Sequence, residues 1–243
     1  MRQKTGLRSG LWIFREAESI LAESIWWDPS GVLQWCDIGT GVIHSSAVDD
    51  PADGSADELL ELAPPVAAFQ PAGDGYVVAN HNTVFVLDRD GTNRRTLAVV
   101  EHASETIRFN EGKCDPFGQF VVGSMEVIGS KSDAAIYAIG EDGNCHTLVG
   151  GIGVWNGIND VGRVVHWTAG GQFHLEFDVP AGHVTVVAFG GVNYSTLFIA
   201  TAREKLTEHQ LEDKPFTGSI FAIDTGTSGF PARGFGAPRK GNA

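Results

Sequence analysis

Short apolar runs, each ended by a turn containing Asp or Gly, follow one another along most of the chain. Val32-Leu33-Gln34-Trp35-Cys36 comes after Asp28-Pro29-Ser30-Gly31. Tyr76 to Ala79 and Val84 to Leu87 lead to Asp88-Arg89-Asp90-Gly91. Phe120 to Val122 follows Asp115-Pro116-Phe117-Gly118, and Ala135 to Ile139 precedes Gly140-Glu141-Asp142-Gly143. Runs rich in Val, Ile, Phe and Trp that alternate with polar residues predict strands. The turns recur because Asp caps its own turn and Gly tolerates positive φ. Helical periodicity is scarce, and Arg203 to Leu211 is its best instance, expected as a short surface insertion.

The strand groups fall at 22–63, 66–100, 106–149, 153–180 and 183–223, with a lone strand at 11–16 before them. An interval of roughly 40 residues is the period of a four-stranded propeller blade. A lone first strand can pair with the last group and close the ring, which removes exposed sheet edges. Periodicity by itself fits a β-sandwich equally well. Either way the fold class is all-β.

Composition narrows the function classes. The 243 residues suffice for one large all-β domain or two ordinary ones. A net charge of −13 argues against an electrostatic grip on nucleic acid or on an anionic membrane. Cys36, Cys114 and Cys145 form no CxxC pair, which argues against a disulfide framework and for a reducing compartment. The apolar run Leu11-Trp12-Ile13-Phe14 stops at Arg15-Glu16, too short for a signal peptide. No stretch approaches the length of a membrane span. A soluble cytoplasmic protein is therefore expected.

Three residues could converge on a cation. Glu23, Asn110 and Asn156 each stand at a strand start beside Gly or a small residue, and their oxygens suit Ca²⁺ or Mg²⁺ and, less selectively, Mn²⁺ or Zn²⁺. Asn-Gly pairs are equally ordinary turn residues, and that reading stands beside the first. Gly151-Ile152-Gly153 lacks the following helix of a nucleotide loop and reads as loop. The eight histidines show no HxH or HExxH pattern, so His166 and His174 read as strand positions. Asp28 and Asp115 read as turn residues, and Asn193-Tyr194-Ser195 as an unmodified sequon.

Four segments carry a resemblance. Arg108-Phe109-Asn110-Glu111-Gly112-Lys113-Cys114-Asp115-Pro116-Phe117-Gly118, continuing to Gly123-Ser124-Met125, resembles R-x-N-D-G-K-x-D-P-x-G followed by G-T-M. Ala22-Glu23-Ser24-Ile25-Trp26-Trp27 is similar to G-E-G-P-x-W with two small residues changed. Trp155-Asn156-Gly157-Ile158 is similar to P-N-G-[IL], and Ala188-Phe189-Gly190-Gly191 through Ala202 to Phe221 to a closing A-F-G-G…L-x-x-T-x-A…G-x-x-F. These are motifs of the regucalcin/gluconolactonase/luciferin-regenerating enzyme family, a six-bladed β-propeller. The resemblance implies a single propeller domain over 1–243 that hydrolyses a small sugar or hydroxy-acid lactone with one divalent ion (Ca, Zn, Mn or Mg). It implies Glu23 and Asn156 as metal ligands and Arg108 and Asn110 beside the substrate. Glu126, just after Gly123-Ser124-Met125, could contact a polyol, and an exposed rim charge is the commoner reading of such a position.

One departure bears on activity. Asn156-Gly157-Ile158-Asn159-Asp160 passes almost directly to Gly162-Arg163-Val164-Val165-His166-Trp167. About one blade of chain, roughly 40–60 residues, is absent near 159–162, so five blades or six with an incomplete one are expected. The lost stretch includes the family's P-D-G aspartate, its third metal ligand and general base. Asp160 is the nearby acid that could take both roles. The alternative function is an impaired propeller that binds a metal or small ligand without turnover. A shortened ring also leaves strand edges that a second copy could cover, making a homodimer.

Overall fold

In the computed structural model, residues 10–128, 132–154, 162–167 and 170–237 are described. The chain is built of β1 (Leu11–Arg15), then β2 (Ala22–Asp28), β3 (Val32–Asp37), β4 (Val42–Ala47) and β5 (Glu58–Glu61). Next come β6 (Val66–Ala72), β7 (Gly75–Asn80), β8 (Thr83–Asp88) and β9 (Arg95–Val99). These are followed by β10 (Ile107–Cys114), β11 (Phe120–Glu126), β12 (Ala134–Ile139) and β13 (Cys145–Ile152). The last are β14 (Arg163–Trp167), β15 (Phe173–Asp178), β16 (His183–Gly190), β17 (Thr196–Ala202), helix α1 (Glu208–Asp213) and β18 (Ile220–Asp224).

Among the described residues the sheets follow chain order: β2-β3-β4-β5, β6-β7-β8-β9 and β10-β11-β12-β13 have four strands each, and β14-β15 has two. The fourth four-stranded sheet is β1-β18-β17-β16, with β1 antiparallel to β18. Four-stranded sheets repeated in chain order are the blades of a β-propeller. By compactness the chain divides into two units, one over 1–34, 45–58 and 157–231 and the other over 35–44, 59–156 and 232–243.

The turns form as the sequence dictates. Gly31 N donates to Asp28 O at 2.9 Å, and Gly118 N to Asp115 O at 3.2 Å. Asp115 Oδ1 accepts from Phe117 N at 2.8 Å and Gln119 N at 2.9 Å, so this aspartate serves the turn. Gly118 has φ of +84°, where a side chain would be strained.

Burial falls from the first strand to the last in three sheets. β2, β6 and β10 are mostly buried, whereas β5, β9 and β13 are largely exposed. β1 breaks this pattern: a last strand by position, it is buried except at Trp12, which is half-buried. One core gathers Val77, Val84, Phe109, Phe120, Val122 and Phe235. Another gathers Leu11, Ile13, Val184, Ile199 and Phe221.

Two local expectations shift. Of the stretch expected as loop, Gly151 and Ile152 are the last two residues of β13. The helix occupies Glu208–Asp213, because Thr207 caps it in a capping box with Gln210 and the preceding residues form a turn.

Candidate functional site

β10 is interrupted by a bulge. Phe109 lies opposite Ser124 and Gly112 opposite Val122, so Asn110 and Glu111 together face the single residue Gly123. Gly112 is required there, since a Cβ would stand 3.0 Å from Phe120 Cζ and 3.2 Å from Ala68 Cβ. Bulges bend a strand and re-aim its side chains, and they concentrate beside functional sites.

Arg108 Nη1 donates to Phe109 O at 2.7 Å and to Asn110 Oδ1 at 3.2 Å. Asn110 is 2% exposed, and the guanidinium fixes which end of its amide is which. Met125 pairs with Arg108 across the ladder, and Glu126, half-buried, pairs with Ile107. Val154 forms an isolated bridge to Met125, so the chain returns to this strand pair just before residue 155. Behind the bulge Phe109 packs edge-on to His102 at 5.2 Å and to Tyr137 at 6.0 Å. Burial is the main cause holding the His102 imidazole below its usual range, which favours its neutral form.

Glu23 sits in β2, in the other unit, at 1% exposure. The next residue, Ser24, has φ of +54°, a left-handed conformation that glycine adopts without strain. Glycine stands at this place in the family pattern, so the turn of backbone persists here although the residue has changed. Thr185 Oγ1 donates to Ala22 O at 2.5 Å and ties the entry of β2 to β16. Thr185 itself belongs to a bulge, since Val184 pairs with Thr201 and Val187 with Ile199.

The structure therefore brings Arg108 and Asn110 into contact, with Glu126 on the same strand pair, and buries Glu23 on β2. Asn156 and Asp160 lie outside the described residues. Among the described residues no three His, Cys, Asp or Glu side chains gather as a metal site. The donors that are described, a buried carboxylate and a buried amide oxygen, suit a hard divalent cation in kind. The bulges and His102 escaped the sequence, because a register shift depends on the partner strand as much as on the strand itself.

The family model described as the SMP-30/Gluconolactonase/LRE-like region matches residues 21–160 and 153–203. The chain belongs to this family. Among its relatives, the 6-deoxy-6-sulfogluconolactonase of Pseudomonas putida is 24% identical over 275 residues, covering 87% of this chain and 93% of its own. Pentonolactonase XacC of Haloferax volcanii is 23% identical over 283 residues, covering 85% and 91%. Both alignments are longer than the 243 residues here, so each relative carries chain that this SMP-30/gluconolactonase protein lacks. The crystal structure of the calcium-binding protein regucalcin from Agrobacterium tumefaciens superposes with a TM-score of 0.77 at 18% identity, covering 95% of this chain and 96% of that one. That likeness shows the β-propeller fold.

The family motifs now have physical reasons. In the A-F-G-G stretch a Cβ on Gly190 would stand 2.6 Å from Trp27 Cγ, so the glycine lets the indole of the G-E-G-P-x-W segment pack down. Gly191, with φ of +72°, then turns the chain toward β17.

Proposed function

We propose that this chain is a metal-dependent lactonase acting on a small sugar or hydroxy-acid lactone. The observation that carries the reading is the Arg108–Asn110 hydrogen bond in the bulge of β10, within a family whose relatives are named lactonases. Glu23 and Asn156 would hold the cation, with Asp160 as the third ligand. A bound divalent ion supplies electrophilic polarisation of the lactone carbonyl. Arg108 donates to that carbonyl or to sugar hydroxyls, and Asn110 orients the ring beside it. Asp160 accepts a proton from water as its oxygen bonds to the carbonyl carbon. The ring C–O bond then breaks and the alkoxide takes the proton back from Asp160, giving the hydroxy acid and restoring the carboxylate. Glu126 accepts hydrogen bonds from substrate hydroxyls.

One observation favours a second reading, a propeller that binds metal or a small ligand without turnover. The P-D-G aspartate is absent from the sequence, and the family match is in two pieces that both include 153–160. That break supports an internal shortening near 159–162.

The test is hydrolysis of gluconolactone by the whole protein, followed by acid release. A rate abolished by chelator and restored by Ca²⁺, Mn²⁺, Zn²⁺ or Mg²⁺ is expected. Hydrolysis indifferent to chelator defeats the metal-dependent mechanism, and calorimetric metal binding with no hydrolysis establishes the second reading.

A further inference from the structure

A cleft of about 970 Å³ opens on the unit that contains β1, and Glu23 does not line it. Its aromatic residues interlock: Trp27 stacks on Phe198 at 5.5 Å and 11°, and Phe14 meets Phe198 edge-on at 5.1 Å. Trp12 of β1 adds a half-buried indole. Leu11 and Ile13 of the same strand are buried in the core with Val184, Ile199 and Phe221, while Trp12 lines the cleft.

The charge around these rings is one-sided. Glu16, Asp49, Asp50, Asp53 and Asp224 line the cleft, and Arg15 is the one cation among its lining residues. Arg15 is already committed. Its Nε donates to Ser46 Oγ and Asp57 Oδ1, both at 2.9 Å. Nη1 donates to Phe14 O at 2.9 Å and Asp50 O at 3.2 Å, and Nη2 to Ala47 O at 2.6 Å. The side chain is 2% exposed and its charge is matched by Asp57. An anion entering the cleft would meet carboxylates and no available guanidinium.

The walls are fixed in advance. Glu16 N donates to Ala52 O at 2.8 Å, Val48 N to Gly31 O at 3.1 Å, and Ala47 N to Asp50 Oδ2 at 2.8 Å. Hydrogen bonds from Ser55 hold the Asp53 carboxyl below its usual range, keeping it ionised. The lining is about half polar and half apolar, so a ligand carrying both charge and hydrocarbon fits it. Aromatic faces attract cations, and best those too weakly hydrated to demand oxygen ligands. A bare metal ion would find no use for the indoles.

We propose that this cleft binds a small alkylammonium cation, its methyl or methylene groups against the half-buried indole of Trp12 and its charge toward Asp49 and Asp53. The site is independent of the lactonase reading, because it shares no residue with it.

The test is isothermal titration of the full chain with choline and with its neutral carbon isostere, 3,3-dimethyl-1-butanol. Choline is expected to bind at least about tenfold more tightly, and to weaken as salt is raised. Asp49→Asn with Asp53→Asn should weaken choline about tenfold and leave the neutral isostere unchanged; both positions are exposed, so folding is spared. Trp12→Ala should weaken both ligands. Equal affinity for the two ligands, no choline binding at about 10 mM, or choline binding unmoved by the aspartate double variant overturns the proposal.

Discussion

The sheets β10–β13 and β14–β15 are both built of strands with apolar residues among polar ones, and they differ in how much of that apolar surface is buried. In the first, Phe109, Phe120, Val122 and Ile139 are fully buried and only the last strand, β13, faces solvent along its length. In the second, β15 is exposed at every position but Phe177, with Phe173 54% and Leu175 41% exposed. Alternation makes a strand, but burial comes from the strands that precede it in its sheet. β13 and β15 resemble each other in exposure. The difference is that β13 ends a sheet of four strands, whereas β15 belongs, among the described residues, to a sheet of two. Two strands alone are marginal and depend on what packs against them, as Phe177 does in the core with Val184 and Ile199.

The largest effect that would sharpen this contrast is Phe109→Ala. Removing a ring with 0% exposure from the core should cost about 3–5 kcal/mol, read as a shift in the denaturation midpoint. A loss below about 1 kcal/mol would mean that the complete sheet is no better packed than the incomplete one.

A smaller effect comes from His102, which packs on Phe109 and Tyr137. Burial lowers its pKa in the folded chain, so protonation favours the unfolded state. The stabilisation is present above the unfolded value near 6.5 and is lost as pH falls from there through the lower folded value. His102→Gln should flatten stability against pH in that window, and an unchanged profile would contradict the assignment.

The smallest effect is expected at Phe173→Ser, within about 0.5 kcal/mol of wild type. A loss above about 2 kcal/mol that depends on protein concentration would show instead that a second copy covers β15.

Much of the fold was legible in the chain. The groups expected at 66–100 and 106–149 appear as β6–β9 over Val66–Val99 and β10–β13 over Ile107–Ile152. They could be read because the Asp-x-x-Gly turns mark the strand ends and the alternation is clean. Gly151 was lost to a loop reading because glycine carries no side chain to show which face it occupies. In the site, the resemblance of the stretch from Arg108 to Gly118 to the family motif flagged both Arg108 and Asn110, but not the hydrogen bond between them within the bulge. The aromatic cleft was invisible, since Trp12, Trp27 and Phe198 meet only after β1 joins the sheet of β16–β18.

Glu23 offers the most direct test of the lactonase account, because it is a buried carboxylate whose charge the proposed cation requires. Gluconolactone hydrolysis by wild type and by Glu23→Gln, each titrated with the activating metal, measures this. The account predicts that Glu23→Gln loses about 100-fold or more in kcat/KM and needs far more metal for what remains. Equal rates and equal metal dependence in the two proteins would contradict it.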